Sequence, residues 1–349
     1  MKHRPLHVHL ENLSSKPAVF ALTPQLIRST RRHNRDLRDQ IRFTAGEDFA
    51  NLEHRLKTAQ VLVTSSDVIR DQRFPRSSLA DAAPQLRLLH LIGAGVEGVL
   101  PLDWLPRGVR LSNNSGVHAR KAREFLLMSL LALNSRLPAV VSNQRHSEWK
   151  QIFTPLISAK KLLVIGLGDL GMAAVQAGRV LDLTISGVSR SGKKVAGVTR
   201  VYCSADICNS VRNADFIVVA APLTAETRNL ISARVLACTK PGVGIINMGR
   251  AAVMDYRALS RMLRNGHVSG AILDVFAPEP LPAESPLWST PNLIISPHIS
   301  SDDRDGYMIA TMNLVCRNLR RMISGRALEN VVSIDQTVLI QRSPAQQAR

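Results

Sequence analysis

The sequence predicts an α/β fold made of two doubly wound, parallel-sheet domains. Three observations predict it. Short apolar runs alternate with helix-like stretches along almost the whole chain, the pattern of parallel strands covered by helices. A glycine turn, Gly166-Leu167-Gly168-Asp169-Leu170-Gly171, follows an apolar run and opens a helical one, the context that raises such a turn above a bare motif match. The length of 349 residues suits two domains of ~100–200 residues each.

In the first part of the chain, residues 6–10, 41–44, 61–64, 86–92 and 109–112 are short apolar or alternating runs bounded by polar segments. Each reads as a strand. Residues 24–38 and 49–58 read as helices between them. Residues 119–137 read as one long helix whose middle, 125–133, is apolar nearly all round. Such a helix must be buried on more than one side, either in its own core or against a second subunit. A second strand–helix series starts at Lys161. Its strands are 162–166, 183–188, 216–220, 244–247, 269–273 and 293–296; its helices are 168–181, 205–212, 227–238 and 255–265. A last helix, 303–324, follows a break at Pro297, and the tail from Gln341 is expected to lack order.

Composition narrows the class. Hydrophobic content of 45% and charged content of 21% are those of a globular protein, and each half is long enough to bury a core. No run of 18 apolar residues reads as a transmembrane helix. The start, Met1-Lys2-His3-Arg4, leads into an alternation with His3, His7 and His9 rather than a signal-peptide core. It reads as a strand with exposed imidazoles, a His-rich metal arm being the alternative. Cys203, Cys208, Cys238 and Cys316 form no Cys-x-x-Cys pair; reduced thiols in a cytoplasmic protein are expected, with no metal site. The net charge is +18. Its densest groups are Arg31-Arg32 with Arg35 and Arg38, and Arg317 with Arg320-Arg321. They are not interleaved with aromatics, which favours a solvated basic surface attracting small anions over a nucleic-acid site.

Four signals along the second half carry chemistry. The glycine turn permits close approach of backbone to a pyrophosphate, which the helix N-terminus would then hold with free N–H groups. The next strand ends Ser189-Arg190-Ser191-Gly192-Lys193-Lys194, where an NAD-binding fold would usually place an acid on the ribose 2′-hydroxyl. Arg190 can instead grip a 2′-phosphate with paired, charge-assisted hydrogen bonds. This predicts NADPH over NADH; a plain basic loop with mixed cofactor use is the other reading. Arg250, in Asn247-Met248-Gly249-Arg250, stands at the C-terminal end of a buried-looking strand, where ligands of open parallel sheets bind. Its planar fork suits a carboxylate, although alone it would read as a capping or surface Arg. Glu279 and His298 flank a strand-sized segment. A carboxylate beside an imidazole favours the protonated ring, an apt proton donor to a nascent alkoxide. With Asp274, in Leu273-Asp274-Val275-Phe276, these residues suggest hydride transfer to a carbonyl next to a carboxylate.

Further motifs stand in order: Gly93-Ala94-Gly95-Val96, Asn114-Ser115-Gly116-Val117-His118, Ala221-Pro222-Leu223-Thr224, Pro291-Asn292 with Ser296-Pro297-His298-Ile299, and Leu328-Glu329-Asn330-Val331-Val332. With them the chain, from about residue 86 to 332, resembles the D-isomer-specific 2-hydroxyacid dehydrogenases, the family of glyoxylate, hydroxypyruvate and phosphoglycerate dehydrogenases. The resemblance implies a Rossmann-type cofactor domain, 118–296, inserted into a discontinuous flavodoxin-like substrate domain, 1–117 and 297–349, with a cleft between them. It implies that Arg250 holds the substrate carboxylate and carbonyl, that His298 is the acid/base and that Glu279 is its partner. Backbone N–H groups of Ala94, Gly95 and Val96 would add to carboxylate binding. Gly166, Gly168, Asp169, Leu170 and Gly171 would lie on the pyrophosphate, and Ser189, Arg190 and Ser191 at the ribose end. Ala221, Pro222, Leu223, Thr227, Met248, Gly249, His298 and Ser300 would complete the NADP or NAD site, with Asp274 near the nicotinamide. The segment 122–133 would pack across a homodimer.

The implied activity is reduction of a 2-oxo acid to a D-2-hydroxy acid, of the glyoxylate/hydroxypyruvate reductase kind, since Glu279 is present and no regulatory domain follows residue 335. Two departures stand out. Arg120, Lys121 and Arg123 add cations after His118, near the cleft mouth or the subunit contact, and Ala251 follows Arg250 where Gly is commoner. A competing reading is a nucleotide-sensing regulatory protein, because the same fold family includes a transcriptional corepressor. Retention of Arg250, Glu279 and His298 argues for the enzyme.

Overall fold

The structure is a computed structural model describing residues 4–332; His3 and the tail from Gln341 lie outside the described residues. Two compact units emerge, one made of 4–118 with 303–332 and one of 119–302.

The first unit holds a five-stranded parallel sheet in the order β2-β1-β3-β4-β5. The strands are β1 (Leu6–Asn12), β2 (Ile41–Glu47), β3 (Val61–Thr64), β4 (Leu88–Leu91) and β5 (Arg110–Ser112). This is the flavodoxin-like doubly wound order. Helices α1 (Pro24–His33), α2 (Leu52–Leu56), α3 (Ser66–Arg70) and α4 (Leu79–Ala82), with the C-terminal helix Tyr307–Ile323, cover the sheet. Val8, Leu10, Val61 and Val63 pack with Met312, Val315 and Leu319 of that last helix on one face, and Leu62, Leu89 and Leu111 pack with Leu52 and Leu56 on the other.

The expectation of exposed imidazoles on β1 is corrected. His7 and His9 are buried, because β1 lies between β2 and β3 with both faces covered. Their polar atoms are satisfied within the sheet, as buried groups require. His7 pairs with Thr58 Oγ1 at 2.9 Å and Thr44 Oγ1 at 2.7 Å; His9 pairs with Thr44 Oγ1 at 2.9 Å and Glu11 Oε2 at 2.9 Å. Among the described residues no group of three or more His, Cys, Asp or Glu is placed to hold a metal ion.

The second unit holds a seven-stranded parallel sheet in the order β12-β11-β10-β9-β6-β7-β8. The strands are β6 (Lys161–Ile165), β7 (Thr184–Ser189), β8 (Arg200–Cys203), β9 (Phe216–Val219), β10 (Val243–Asn247), β11 (Val268–Leu273) and β12 (Leu293–Ile295). The order reverses between β6 and β9, so the crevice for a ligand opens there, at the C-terminal strand ends. The helices are α5 (Ala119–Asn134), α6 (Leu137–Arg145), α7 (Asp169–Val180), α8 (Ile207–Val211), α9 (Ala233–Ala237) and α10 (Tyr256–Arg264).

Local chemistry moved two boundaries and hid one strand. The helix expected over 119–137 stops at Asn134 because Arg136 takes a left-handed conformation (φ 57°) and Pro138 opens α6. The two helices bend by 66°, and among the described residues no single helix is long and apolar enough to cross a membrane. The helix expected from 227 starts only at Ala233, since the Thr227 hydroxyl turns back onto the carbonyl of Pro222 at 2.6 Å. Edge strand β8, Arg-Val-Tyr-Cys, is short and partly exposed, too weak a pattern to stand out in the sequence. Within α5, Ala122, Leu126, Leu130 and Leu133 are buried in their own unit, whereas Met128 and Leu131 are 53% and 46% exposed.

Candidate active site

The site residues of the second unit lie at the C-terminal ends of the strands or in the loops that follow them. At the end of β6, Gly166 has φ +91°, and a Cβ there would meet the backbone of Ala221 at 2.7 Å. A Cβ on Gly171 would overlap the carbonyl oxygen of Gly166. Both glycines are therefore demanded by close backbone approach. Gly168 differs: nothing lies within 4 Å of its Cβ position. It caps α7 in an extended conformation without a side-chain hydrogen bond, so the first N–H groups of a twelve-residue helix are left for other acceptors. An open cradle of this kind fits a pyrophosphate.

The floor beside it is continuous. Gly249, at the end of β10, could not carry a Cβ either, because Ala221 O would lie 2.7 Å away. The Ala221-Pro222-Leu223 loop is pinned by Thr227, whose hydroxyl donates to Pro222 O at 2.6 Å and accepts from the N–H of Thr224 at 2.7 Å. On the other side of β6, Ser189 Oγ accepts from the N–H of Gly192 at 3.1 Å. That turn leaves Arg190 and Ser191 exposed. Glu226 is the nearby acid: the Thr224 hydroxyl, with a smaller contribution from Arg190, holds its carboxyl below the usual range.

Arg250 stands on a turn shaped by buried Asn247. Asn247 Oδ1 accepts from the N–H of Gly249 at 3.1 Å, and its Nδ2 donates to the Tyr256 hydroxyl at 2.9 Å. Arg250 is extended (φ −139°, ψ 142°) and donates Nη1 to Gly249 O at 2.8 Å. Ala251 begins a short 3-10 turn and has no left-handed φ, so alanine fits here without strain. Tyr256 was not singled out from the sequence. Its hydroxyl donates to Val275 O at 2.8 Å, and its ring meets Phe276 edge-on at 6.1 Å. Burial pushes its pKa up, so it is a hydroxyl donor at any working pH.

His298 Nδ1 lies 2.8 Å from Glu279 Oε2. The other oxygen, Oε1, accepts the N–H of Phe276 at 2.7 Å. With Nδ1 committed to a carboxylate, Nε2 is the ring nitrogen left for a reacting group. His298 itself takes a left-handed backbone (φ 56°), uncommon for a residue with a side chain. Asp274 holds it there. The buried carboxylate accepts from Ser296 Oγ at 2.6 Å, from the N–H of Ile299 at 3.0 Å, from the N–H of Ser300 at 3.2 Å and from the Ser300 hydroxyl. Ser300 thus spends both its donors on Asp274. Asp302, also missed in the sequence, has its carboxyl pushed up by burial while the His298 ring pulls the other way.

The remaining expected residues lie elsewhere. Ala94, Gly95 and Val96 belong to the first unit, in the loop after β4, where Asn113 Nδ2 donates to Ala94 O at 2.7 Å and the N–H of Asn114 to Gly93 O at 3.0 Å. Lys121 pairs with Glu124 at 3.0 Å, and Arg123 reaches Gln176 at 3.5 Å. Both are engaged on the α5 surface of their own unit.

Comparison with known proteins follows the same line. The family model for the NAD binding domain of D-isomer specific 2-hydroxyacid dehydrogenases matches residues 127–300. Glyoxylate/hydroxypyruvate reductase B of Pectobacterium carotovorum subsp. carotovorum (strain PC1) is 31% identical over 296 residues, 82% of this chain and 89% of that protein. D-3-phosphoglycerate dehydrogenase of Methanocaldococcus jannaschii is 28% identical over 84% of this chain, which spans only 56% of that relative's length. The crystal structure of an NADPH-dependent glyoxylate/hydroxypyruvate reductase from Sinorhizobium meliloti, in complex with NADP and sulfate, has a TM-score of 0.75 at 25% identity, covering 95% of this chain and 99% of that one.

Proposed function

This chain belongs to the D-isomer specific 2-hydroxyacid dehydrogenase family, and we propose that it reduces a short 2-oxo acid to the D-2-hydroxy acid with NADPH. The observation that supports this most is the Glu279–His298 pair at 2.8 Å, held one strand away from the Arg250 turn and at the same end of the strands as the glycine turn. Bound reduced nicotinamide supplies the hydride. Arg250 binds the substrate carboxylate and polarises the carbonyl with a charge that cannot be lost. His298 gives the Nε2 proton to the oxygen that becomes the hydroxyl, and Glu279 stabilises the ring while it is charged. Asp274 acts here by holding the His298 loop. The backbone amides of Ala94, Gly95 and Val96 are proposed as further carboxylate donors.

Preference for NADPH is argued from Arg190, Ser189 and Ser191, since no acid occupies the end of β7 to repel a 2′-phosphate. The relative from Sinorhizobium meliloti, itself NADPH-dependent, supports that choice, and the reductase from Pectobacterium supports glyoxylate or hydroxypyruvate as substrates. A homodimer is proposed because Trp149, Phe153 and Leu156 are 95%, 87% and 83% exposed, as Met128 and Leu131 of the same unit also are at 53% and 46%, apolar surface that a second copy would cover.

The test is steady-state reduction of glyoxylate, hydroxypyruvate and a bulkier 2-oxo acid with NADPH and with NADH, read by near-ultraviolet absorbance of the reduced nicotinamide. Turnover with NADPH preferred is expected, reversed toward NADH by Arg190→Glu. Arg250→Ala should lose about 10²–10³-fold in kcat/KM. No turnover in protein that binds cofactor would overturn the assignment and favour the nucleotide-sensing role.

A further inference from the structure

We propose that Tyr256 is a positioning residue that locks the Arg250 turn and the Glu279–His298 pair into one rigid frame. The proposal rests on the reductase reading of the same site. Its basis is an unbroken chain of contacts. Asn247, which shapes the Arg250 turn through the N–H of Gly249 at 3.1 Å, donates Nδ2 to the Tyr256 hydroxyl at 2.9 Å. That hydroxyl donates onward to Val275 O at 2.8 Å. Phe276, the next residue, packs its ring against Tyr256 and gives its N–H to Glu279 Oε1 at 2.7 Å. Glu279 Oε2 then holds His298 Nδ1 at 2.8 Å. The carboxylate-binding cation and the proton donor stand at the ends of neighbouring strands β10 and β11–β12, which could otherwise flex separately beyond their last ladder bonds. Tyr256 comes from neither strand: it is the first residue of α10, and it bridges both strand ends through a single oxygen that accepts from one side and donates to the other. Hydrogen bonds arranged head to tail polarise one another and resist displacement together.

The contact chain makes a kinetic prediction distinct from mere structural support. Tyr256→Phe keeps the ring and its packing on Phe276 but removes the oxygen. The kcat/KM for the 2-oxo acid should fall about tenfold, the loss expected for one hydrogen bond that orients a reacting pair, while NADPH affinity stays unchanged. A double-mutant cycle with Glu279→Gln should be non-additive, because both substitutions break the same chain. Asn247→Asp approaches from the other end: it keeps an acceptor for Gly249 but deletes the donor to Tyr256 and to the Arg250 carbonyl at 3.3 Å, and should lower kcat/KM by at least as much as Tyr256→Phe. Additive losses, or unchanged kcat/KM in folded Tyr256→Phe, would overturn the proposal. Wild-type turnover is the separate control for the reaction itself. If the wild type were inactive, that reading would fail alone, and the frame would be read by hydrogen exchange. Tyr256→Phe should speed amide exchange in 247–250 and in 274–279 together; exchange raised in neither, or in one only, would overturn it.

Discussion

Replacing Asp274 by Ala tests how His298, the proposed proton donor, is held. The carboxylate is 1% exposed, and the hydrogen bonds described for it all come from the segment that carries His298: Ser296 Oγ, the N–H groups of Ile299 and Ser300, and the Ser300 hydroxyl. Removing it strands two backbone donors and two hydroxyls. At roughly 1–3 kcal/mol for each buried donor left unpaired, the two N–H groups alone cost about 2–6 kcal/mol of loop order. His298 meanwhile sits at φ 56°, a conformation that costs roughly 1–2 kcal/mol for a residue with a side chain. What would remain, besides the His298 N–H bond to Ser296 O at 3.0 Å within the same segment, is its half-exposed pair with Glu279, and exposed pairs of this kind contribute up to about 1 kcal/mol. The balance favours release of the loop. Expected in the absorbance assay at saturating NADPH and 2-oxo acid is a fall in kcat of about 100-fold, the scale of an ångström-sized misplacement. The cofactor dissociation constant, read by fluorescence, should stay within about threefold, because the lost interaction is one of the transition state. Asp274→Asn should recover only part, since its amide group turns a donor toward other donors. The reasoning fails if kcat is retained and the cofactor KM rises instead. That result would place the Asp274 carboxylate on the nicotinamide, as the family resemblance implies.

Gly168→Ala should leave the thermal midpoint unchanged, because nothing lies near its Cβ position, yet weaken NADPH binding at least about tenfold by filling the pyrophosphate cradle; calorimetric titration decides it, and unweakened binding would remove the cradle assignment. Gly171→Ala should instead destabilise the protein outright, since its Cβ would overlap Gly166 O, and a native-like thermal midpoint would refute that packing. Acid stability should be set in the first unit. Burial, joined at His7 by the charge of Arg42, lowers His7 and His90 from 6.5 to about 4. The unfolded chain therefore takes up these protons first, and stability is complete above the unfolded pKa and lost as pH falls toward about 4. Each contributes on the order of 3 kcal/mol at the limit. Urea midpoints should fall steeply across that window and less steeply in His7→Gln; equal slopes would contradict the assignment.

Where periodicity or punctuation is local, the sequence was a good guide to the fold. The β6 and β9–β11 runs are apolar and short, because strands of a sheet covered on both faces need no polar face, and they lie within a residue or so of expectation. The long-helix reading failed at Arg136, where a left-handed residue and Pro138 turn the chain. Pro138 was in plain view, but proline is tolerated in a first helical turn, so it could equally have belonged to a continuing helix only with a kink. The β1 histidines misled for another reason. Alternation of polar and apolar residues normally marks one solvated face, yet Thr44, Thr58 and Glu11 supply partners that let His7 and His9 sit inside. Nothing within β1 announces partners that come from 37 and 51 positions away.

The same distinction explains the site. Gly166, Arg250, Asp274, Glu279 and His298 stood out in the sequence because each is a residue type that the proposed chemistry needs, in a segment that follows a recognisable strand. Their supports did not. Tyr256 reads in sequence as an ordinary first-turn helix residue, and its role exists only once β10 and β11 lie side by side and bring Asn247 and Val275 to one oxygen. Asp274 shows the limit from the other direction. Its position was read, but the structure turns the carboxylate to four donors within five residues of chain. A carboxylate so committed has little capacity left for a ligand. In the proposed mechanism its part is then exercised through His298, whose flanking residues Ser296, Ile299 and Ser300 it holds, and so the placement of the proposed proton donor depends on a residue that need never meet the substrate.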